Sequence, residues 1–516
     1  ELYCAVHLGL TPETGSAATF DVVLYPVDPR WGFRDALRRY YALYPDCFTR
    51  RNRREGIWMP FTDVSTVEGW QDFGFAFHEG TNNVLFDDEA DIASFVYCEP
   101  VSYWMRMEPE EPRTYDNALR LLREQAAEGR HNAQVALGSA VEDTQGKVVL
   151  QCADTPWCDG ALFVLNASPN LYADEERPSR GKELTVQTLG AFDRAAKLGA
   201  WHNYGEGFDI AESEGREGSD AIRVTADAPG TFGAAQTVAV DQEEPRDLVI
   251  SGWAKAEAIS NPDTAQWRIY VDLTYTDGDH LWGQLARFDP AVEGWQQARY
   301  AMEPEKPVQA AAVYAMFRGE TTGSVLFDDF FLGEAGGENL LKNADFEPAD
   351  SGELDGVYID SSEMAATQLN YRREHWKWAE TPLTFDGEGR LCQLTIFNTA
   401  EFAVGLAETL HGRGDLLFAN STPSRFPWLA ASLDIMGTET NWSPADEYQP
   451  MSVPALNYRR ALCYQRPYLF LMNTVYDDFK PEWVELYFKR SIAWGHFPSF
   501  FSHNAADDPY WRRPDL

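Results

Sequence analysis

The chain predicts an α/β fold: a (β/α)8 barrel interrupted by an inserted β-sandwich of jelly-roll type and preceded by a β-sandwich remnant. Three observations lead there. Short apolar runs ending in polar or acidic residues recur on both sides of a long central stretch, as in Val357-Tyr-Ile-Asp360 and Leu416-Leu-Phe-Ala-Asn420. Buried parallel strands deliver side chains from their C-terminal ends in this way. Helical periods separate the runs, the rhythm of βα units. The central stretch instead holds only short alternating strands with regular turn residues.

Taken in order, residues 1–50 carry alternating text (Thr19-Phe-Asp-Val-Val-Leu-Tyr25) that reads as the tail of a sandwich. An amphipathic linker helix follows from Trp31 to Tyr44, with Phe33, Leu37, Tyr40 and Tyr41 at helical spacing. Residues 51–169 form the first half of the barrel, with strands at Gly56–Phe61 and Ile92–Glu99 and a helix from Tyr115 to Ala127. Ala161–Asn166 is a further strand or part of an excursion. Residues 170–347 make the insert, placed in a strand-to-helix loop on the active-site face. Residues 348–516 close the barrel, with strand ends at Asp360, Gln393–Phe397, Asn420, Leu433–Met436, Asn473 and Ile492–Pro498 and helices at Ala400–His411 and Trp483–Ala493. The chain starts without Met and stops soon after the last strand, as a processed or trimmed product would.

Composition limits the partners. With 81 acidic against 43 basic residues the formal charge is −38, a field that repels nucleic acid and anionic membrane. Aromatic residues make up 14%, with 17 Trp and 23 Tyr, enough for large cores and for sugar-stacking platforms. The seven cysteines show no CxxC spacing, which argues against zinc. Cys152 and Cys158 can pair across the Trp157 loop, but free thiols are the simpler expectation. No apolar run reaches the ~18 residues of a membrane span. Neither a G-x-S-x-G elbow nor a P-loop or dinucleotide fingerprint occurs.

Two carboxylates from neighbouring barrel strands suit hydrolysis of a glycosidic bond, which needs one ionised carboxylate at the anomeric carbon and one acid at the leaving oxygen. Asp360, beside Ser361 and Ser362, fits the first role; Glu439, flanked by Thr438 and Trp442, fits the second. Glu99 is the alternative acid or a binding residue. Glu363 reads as a cap of the following helix, and Asp434 as a structural carboxylate within an apolar strand. Asp477 and Asp478 either bind sugar hydroxyls or face water. Trp58, Trp104, Asn420, Trp442, Asn473, Tyr476 and His496 are candidate substrate-binding residues at strand ends, with His78, Trp494 and His503 as further neighbours. No organic cofactor or catalytic metal is implied.

The insert, with "SGWAKAEA", "WRIYVDLTYTDG" and "VLFDDFFLGE", resembles the jelly-roll carbohydrate-binding modules that accompany xylanases and glucanases. That resemblance implies a structural calcium ion at Asp328 and Asp329, against plain strand-end solvation. Trp253 and Trp295 read as sandwich core, Trp201 and Trp282 as exposed stacking residues.

Asp355-Gly-Val-Tyr-Ile-Asp360, Asn420 and Thr438-Glu-Thr-Asn-Trp442 are together similar to the dextranase-type glycoside hydrolases, and more loosely to α-galactosidase and endo-α-N-acetylgalactosaminidase barrels. The resemblance implies a retaining enzyme with Asp360 as nucleophile and Glu439 as acid/base. Its substrate would be an α-linked polysaccharide or oligosaccharide, outside the cell or in the periplasm. A transglycosylase and a non-catalytic carbohydrate-binding protein are the alternatives.

Overall fold

The computed structural model describes residues 6–15, 17–155, 158–198, 200–205, 207–260, 267–319, 321–347, 352–362, 368–420, 427–444, 447–473, 479–501 and 510–512. Eight parallel strands form one sheet in chain order: β1 (Ile57–Pro60), β2 (Phe75–Glu79), β3 (Ala93–Cys98), β4 (Gly356–Ile359), β5 (Leu416–Ala419), β6 (Ile435–Thr440), β7 (Tyr468–Asn473) and β8 (Phe497–Phe501). The sheet curls into a nearly closed barrel, and the Ser499 hydroxyl of β8 donates to the Trp58 carbonyl of β1.

The helical ring is uneven. Val84–Glu89, Arg180–Leu198, Thr395–Arg413, Val453–Cys463 and Pro481–Ala493 follow β2, β3, β4, β6 and β7, whereas short 3-10 turns follow β1, β5 and β8. Thr395–Arg413 stops at Gly414, whose φ of 97° only glycine adopts freely, and the chain turns there into β5. Two layers of apolar side chains hold the barrel. Val357, Ile359, Leu417 and Met436 face outward, where Phe402 and Leu406 of Thr395–Arg413 join the same core. Trp58, Phe77, Phe95, Tyr358, Phe418 and Leu471 face inward and fill the centre, with Phe418 at 4.9 Å from both Trp58 and Tyr358, ring centre to ring centre.

Gly356 shows how closely the strands approach. A Cβ there would meet the Leu416 carbonyl oxygen at 2.2 Å and Phe95 Cε1 at 2.8 Å, so Gly356→Ala is expected to cost about 1–3 kcal/mol through overpacking. The shift in the urea midpoint at constant slope measures this.

The insert is a sandwich of two five-stranded antiparallel sheets. One sheet runs His280–Arg287, Trp267–Tyr275, Val308–Gly319, Gly230–Ala239, His202–Gly205; the other runs Gln296–Met302, Leu248–Glu257, Gly323–Gly333, Ala221–Ala226, Asp209–Ala211. Ile250, Val271, Val313 and Phe327 pack between them. Arg180–Leu198, inside the stretch assigned to the insert, contributes Leu184 and Phe192 to the barrel core. The sandwich therefore enters between that helix and β4 rather than through a strand-to-helix loop. An excursion after β3 pairs Ser102–Arg106, Asp159–Val164 and Leu150–Asp154 in a small antiparallel sheet.

Several expectations are corrected. The alternating text at 19–25 forms no strand, because no sheet edge lies beside it to take its hydrogen bonds; Phe20 and Leu24 are exposed. No N-terminal sandwich remnant is present among the described residues, although the linker helix is there as Phe33–Leu43. Gln393–Phe397 is not a barrel strand: Leu391–Leu394 pairs in a small three-stranded sheet, and the helix begins at Thr395. All six described cysteines are free.

Candidate active site

The alternation of the strands builds the site. Side chains two residues apart face the same way, so the position two beyond each inward-facing residue lies on the same face, one step nearer the C-terminal mouth. Phe77 is followed by Glu79, Phe95 by Tyr97, Tyr358 by Asp360, Phe418 by Asn420 and Gly437 by Glu439. The inward residues close the barrel below, and the polar five gather above them.

Asn420 ties the two expected carboxylates together. Its Nδ2 donates to Asp360 Oδ1 at 2.8 Å and to Glu439 Oε1 at 2.7 Å, and its Oδ1 accepts the Glu439 backbone N–H at 3.2 Å. Carboxylates only accept, so the amide must present its two N–H groups to them. Two oxygens sharing one nitrogen can be no further apart than the sum of 2.8 and 2.7 Å, about 5.5 Å.

Further donors converge on Asp360. The Tyr97 hydroxyl lies 2.9 Å from Oδ2, the Ser361 hydroxyl 3.3 Å from Oδ2, and the Tyr358 hydroxyl 3.3 Å from Oδ1. Ser361 has φ of 53°, a left-handed turn that is costly for a residue with a Cβ and typical of functional sites. The Tyr97 hydroxyl also lies 3.1 Å from Glu99 Oε2; one proton serves two acceptors, so it is shared. Glu99 is itself fixed by the Trp104 indole N–H at 2.8 Å and by the Ser102 hydroxyl. Burial first, and then the Asp360 and Glu99 carboxylates, push the Tyr97 phenol far above its ordinary range, so it acts as a donor at any working pH.

Glu79, like Tyr97, is a residue that sequence reasoning missed. It is 2% exposed, and its Oε2 accepts the indole N–H of fully buried Trp58 at 3.0 Å. Burial raises its carboxyl well above the usual range, reinforced by Asp360 and then Glu439 and opposed by the Trp58 bond. A third carboxyl, its titration pushed well above the usual carboxylate range, thus sits beside the pair. The available signal was the Phe75-Ala-Phe-His-Glu79 alternation, a strand ending in an acid.

A raised folded value means the native state binds a proton that the unfolded chain releases. The stabilisation is complete below the unfolded value and is lost as pH rises toward the folded one. Glu79→Gln, a neutral isostere, should therefore match the parent's melting temperature at pH 4 and exceed it at pH 8. Equal melting curves at pH 8 would mean that Glu79 is not held neutral.

The other candidates scatter. Glu99 and Trp104 line the rim as a positioning pair. Trp58 is core and serves Glu79. Trp442 is 1% exposed and packs on Phe470 and Tyr487, so it forms no sugar platform. His496 precedes β8, at the opposite end of the barrel; its Nε2 pairs with the Leu456 carbonyl, and burial lowers its value to about 4. His78 faces outward onto Asp87 at 2.6 Å, and Trp494 ends the helix Pro481–Ala493. Asp434 is buried among Arg51, His411 and the Leu417 N–H, a structural carboxylate. Asn473 ends β7; Glu363, Tyr476, Asp477, Asp478 and His503 lie outside the described residues.

In the sandwich, Asp329 pairs with Arg216, and Asp328 accepts the Arg216 N–H at 2.7 Å and the Ser219 hydroxyl at 3.0 Å. Among the described residues no cluster of three or more His, Cys, Asp or Glu side chains could hold a metal ion. The two aspartates bind protein groups where calcium was expected. Trp201 is buried, with its indole N–H on the Asn343 carbonyl, so it is core and not a stacking residue. Trp282 is exposed and stacks on His280. Trp253 is half-buried under the Arg216 guanidinium, and Trp295 packs beside a small apolar cluster.

No family model matches the chain. Over 136 residues it is 27% identical to the tRNA nuclease WapA of Bacillus subtilis strain 168, and over 115 residues 28% identical to the tRNA3(Ser)-specific nuclease WapA of Bacillus spizizenii. These alignments take in 26% and 22% of the chain and only 6% and 5% of those proteins. Among solved structures, the chain is similar to the CBM22-1 xylan-binding domain of Paenibacillus barcinonensis Xyn10C, at 15% identity and TM-score 0.21, over 27% of this chain and 90% of that one. It is also similar to the family 11 carbohydrate-binding module of Clostridium thermocellum Lic26A-Cel5E, at 15% identity and TM-score 0.19, over 25% and 85%.

Proposed function

We propose that the protein is a retaining glycoside hydrolase acting on an α-linked polysaccharide or oligosaccharide, with Asp360 as nucleophile and Glu439 as acid/base. The carrying observation is the shared Asn420 amide, which keeps the two carboxylate oxygens within about 5.5 Å. Retaining enzymes hold their pair about 5–5.5 Å apart, whereas inverting ones leave about 6.5–9.5 Å for a water molecule.

In the first step an Asp360 oxygen bonds to the anomeric carbon as the bond to the leaving oxygen breaks, and Glu439 gives that oxygen its proton. In the second, Glu439 takes a proton from water, whose oxygen replaces Asp360 at the same carbon. Asn420, Tyr97 and Ser361 hold the nucleophile in line. Burial and the neighbouring acids raise the Glu79 carboxyl well above its usual range, which disfavours a third negative charge in the site. A sugar acceptor in place of water would make the protein a transglycosylase with the same first step. Such a substrate belongs outside the cell or in the periplasm; no helix among the described residues is long and apolar enough to cross a membrane.

Incubation with a panel of 2-deoxy-2-fluoro glycosyl fluorides tests the reading. The expected result is a mass increment of one fluorosugar on the peptide containing Asp360. A panel that labels nothing, together with no release of sugar from neutral glycans or aryl glycosides, would leave the protein without this activity.

A further inference from the structure

Between the barrel and the sandwich lies a second concavity, outside the carboxylate cluster. It is a cleft of about 310 Å³, walled on one side by Phe61 and Asn82 of the loops after β1 and β2, and on the other by the outer face of the sheet containing Trp267–Tyr275 and Val308–Gly319. His202, Thr237, Thr274, Gln309 and Tyr314 project from that face, while Ala310 and Ala312 leave the centre of the wall low. The lining contains no lysine or arginine. Its single carboxylate, Asp63, is already engaged by the Ser65 N–H at 2.9 Å and Asn83 Nδ2 at 3.0 Å.

Asn82 and His202, one from each wall, each carry a buried polar atom with no hydrogen-bond partner, Asn82 Oδ1, on the Gly80 side of its side chain, and His202 Nδ1. Unpaired buried polar atoms are costly, and a hydroxyl-bearing ligand that turns these side chains toward the cleft would give them partners. Burial lowers His202 to about 4, so the ring is neutral at physiological pH and offers no charge to an anion.

Phe61 brings the cleft close to the mouth. The Phe61 ring lies 5.8 Å from that of Tyr97, whose hydroxyl reaches Asp360. Phe61 holds a φ of 57°, strained for a bulky residue. Its N–H bonds to the Glu79 carbonyl at 2.9 Å, and its carbonyl accepts Asn82 Nδ2 at 2.9 Å. Asn82 thus fixes the Phe61 backbone between the two spaces.

We propose that this cleft is a binding subsite for the distal sugars of an uncharged glycan chain whose scissile bond lies over Asp360. The sandwich is then a wall of the substrate path, and the preferred substrate is longer than a disaccharide. The proposal rests on the glycosidase reading of the mouth.

The test uses the full chain carrying Asp360→Asn, titrated calorimetrically with neutral gluco-, galacto-, manno- and xylo-oligosaccharides from disaccharide to hexasaccharide. At least about tenfold tighter binding of the longest members is expected, equivalent to about 1.4 kcal/mol. Ala312→Phe, which fills the cleft from the sandwich side, and His202→Leu, which removes the unpaired nitrogen, should each abolish that gain and leave disaccharide binding and the melting temperature unchanged. Preserved length dependence in both variants, or none in the parent, overturns the subsite and leaves the glycosidase reading standing. If no saccharide binds and the fluorosugar trap also fails, both readings fall together.

Discussion

Asp360→Asn should lower turnover on any accepted substrate by about 10⁴-fold or more, the scale seen when a covalent nucleophile is removed. Asparagine keeps the shape and can still meet the Tyr97 hydroxyl, so the melting temperature should move little. What disappears is the oxygen that bonds to the anomeric carbon. Glu439→Gln separates the two roles. With an aryl glycoside whose leaving group needs no proton, the first step should survive and the glycosyl-enzyme should accumulate. Added azide, a nucleophile that needs no general base, should restore turnover and yield a glycosyl azide of retained configuration. Azide rescue of Asp360→Asn with inverted product would agree, because the small anion then enters the face that Asp360 vacates. Turnover within tenfold of the parent for Asp360→Asn would remove the proposed mechanism.

Asn420→Ala should cost about 10²–10³-fold in kcat, the loss usual when one preorganised donor is taken from an active site. The bridge that holds Asp360 and Glu439 would be gone, leaving two carboxylates a few ångströms apart with nothing between them. Like charges so placed cannot both stay ionised cheaply. The acidic limb of the pH–rate profile should therefore move to higher pH, a readout that a purely structural defect would not produce. Asn420→Asp should be worse, because it adds a third acceptor where two donated hydrogens were needed. A pH profile unchanged in shape for Asn420→Ala would show that Asn420 does not govern the pair.

Asp360, Asn420 and Glu439 were legible as strand-end residues because each closes a largely apolar run, but Asn420 reads there as a substrate-binding residue, and only the structure shows it bridging the two carboxylates. Asp360, Asn420 and Glu439 stand two residues beyond Tyr358, Phe418 and Gly437, and one alternation rule places all three. The same rule would have found Tyr97 and Glu79, but His78 interrupts the apolar text of β2. Trp58 and Trp442 were misassigned because nearness to a strand end says nothing of which way a ring points. Trp58 turns inward and Trp442 packs against a helix. His496 lies at the other end of its strand, a polarity that composition does not reveal. The 19–25 segment has the alternation of a strand and lacks a neighbour; pattern supplies a face, and only a paired edge supplies the hydrogen bonds. The insert was recognisable as a sandwich, but Arg180–Leu198 packs against the barrel, which moves the point of entry.

The Asn420 amide has two hydrogens, and both are committed to the carboxylates. It therefore has none to offer a sugar, and the spacing it imposes does not depend on what occupies the mouth. Under the proposed mechanism, stereochemical outcome is then a property of strand register, inherited with the barrel. Choice of sugar would be left to loops and, with the proposed subsite, to the sandwich wall. Mutations that retune the wall would then change what is cut while the handedness of the product stays the same.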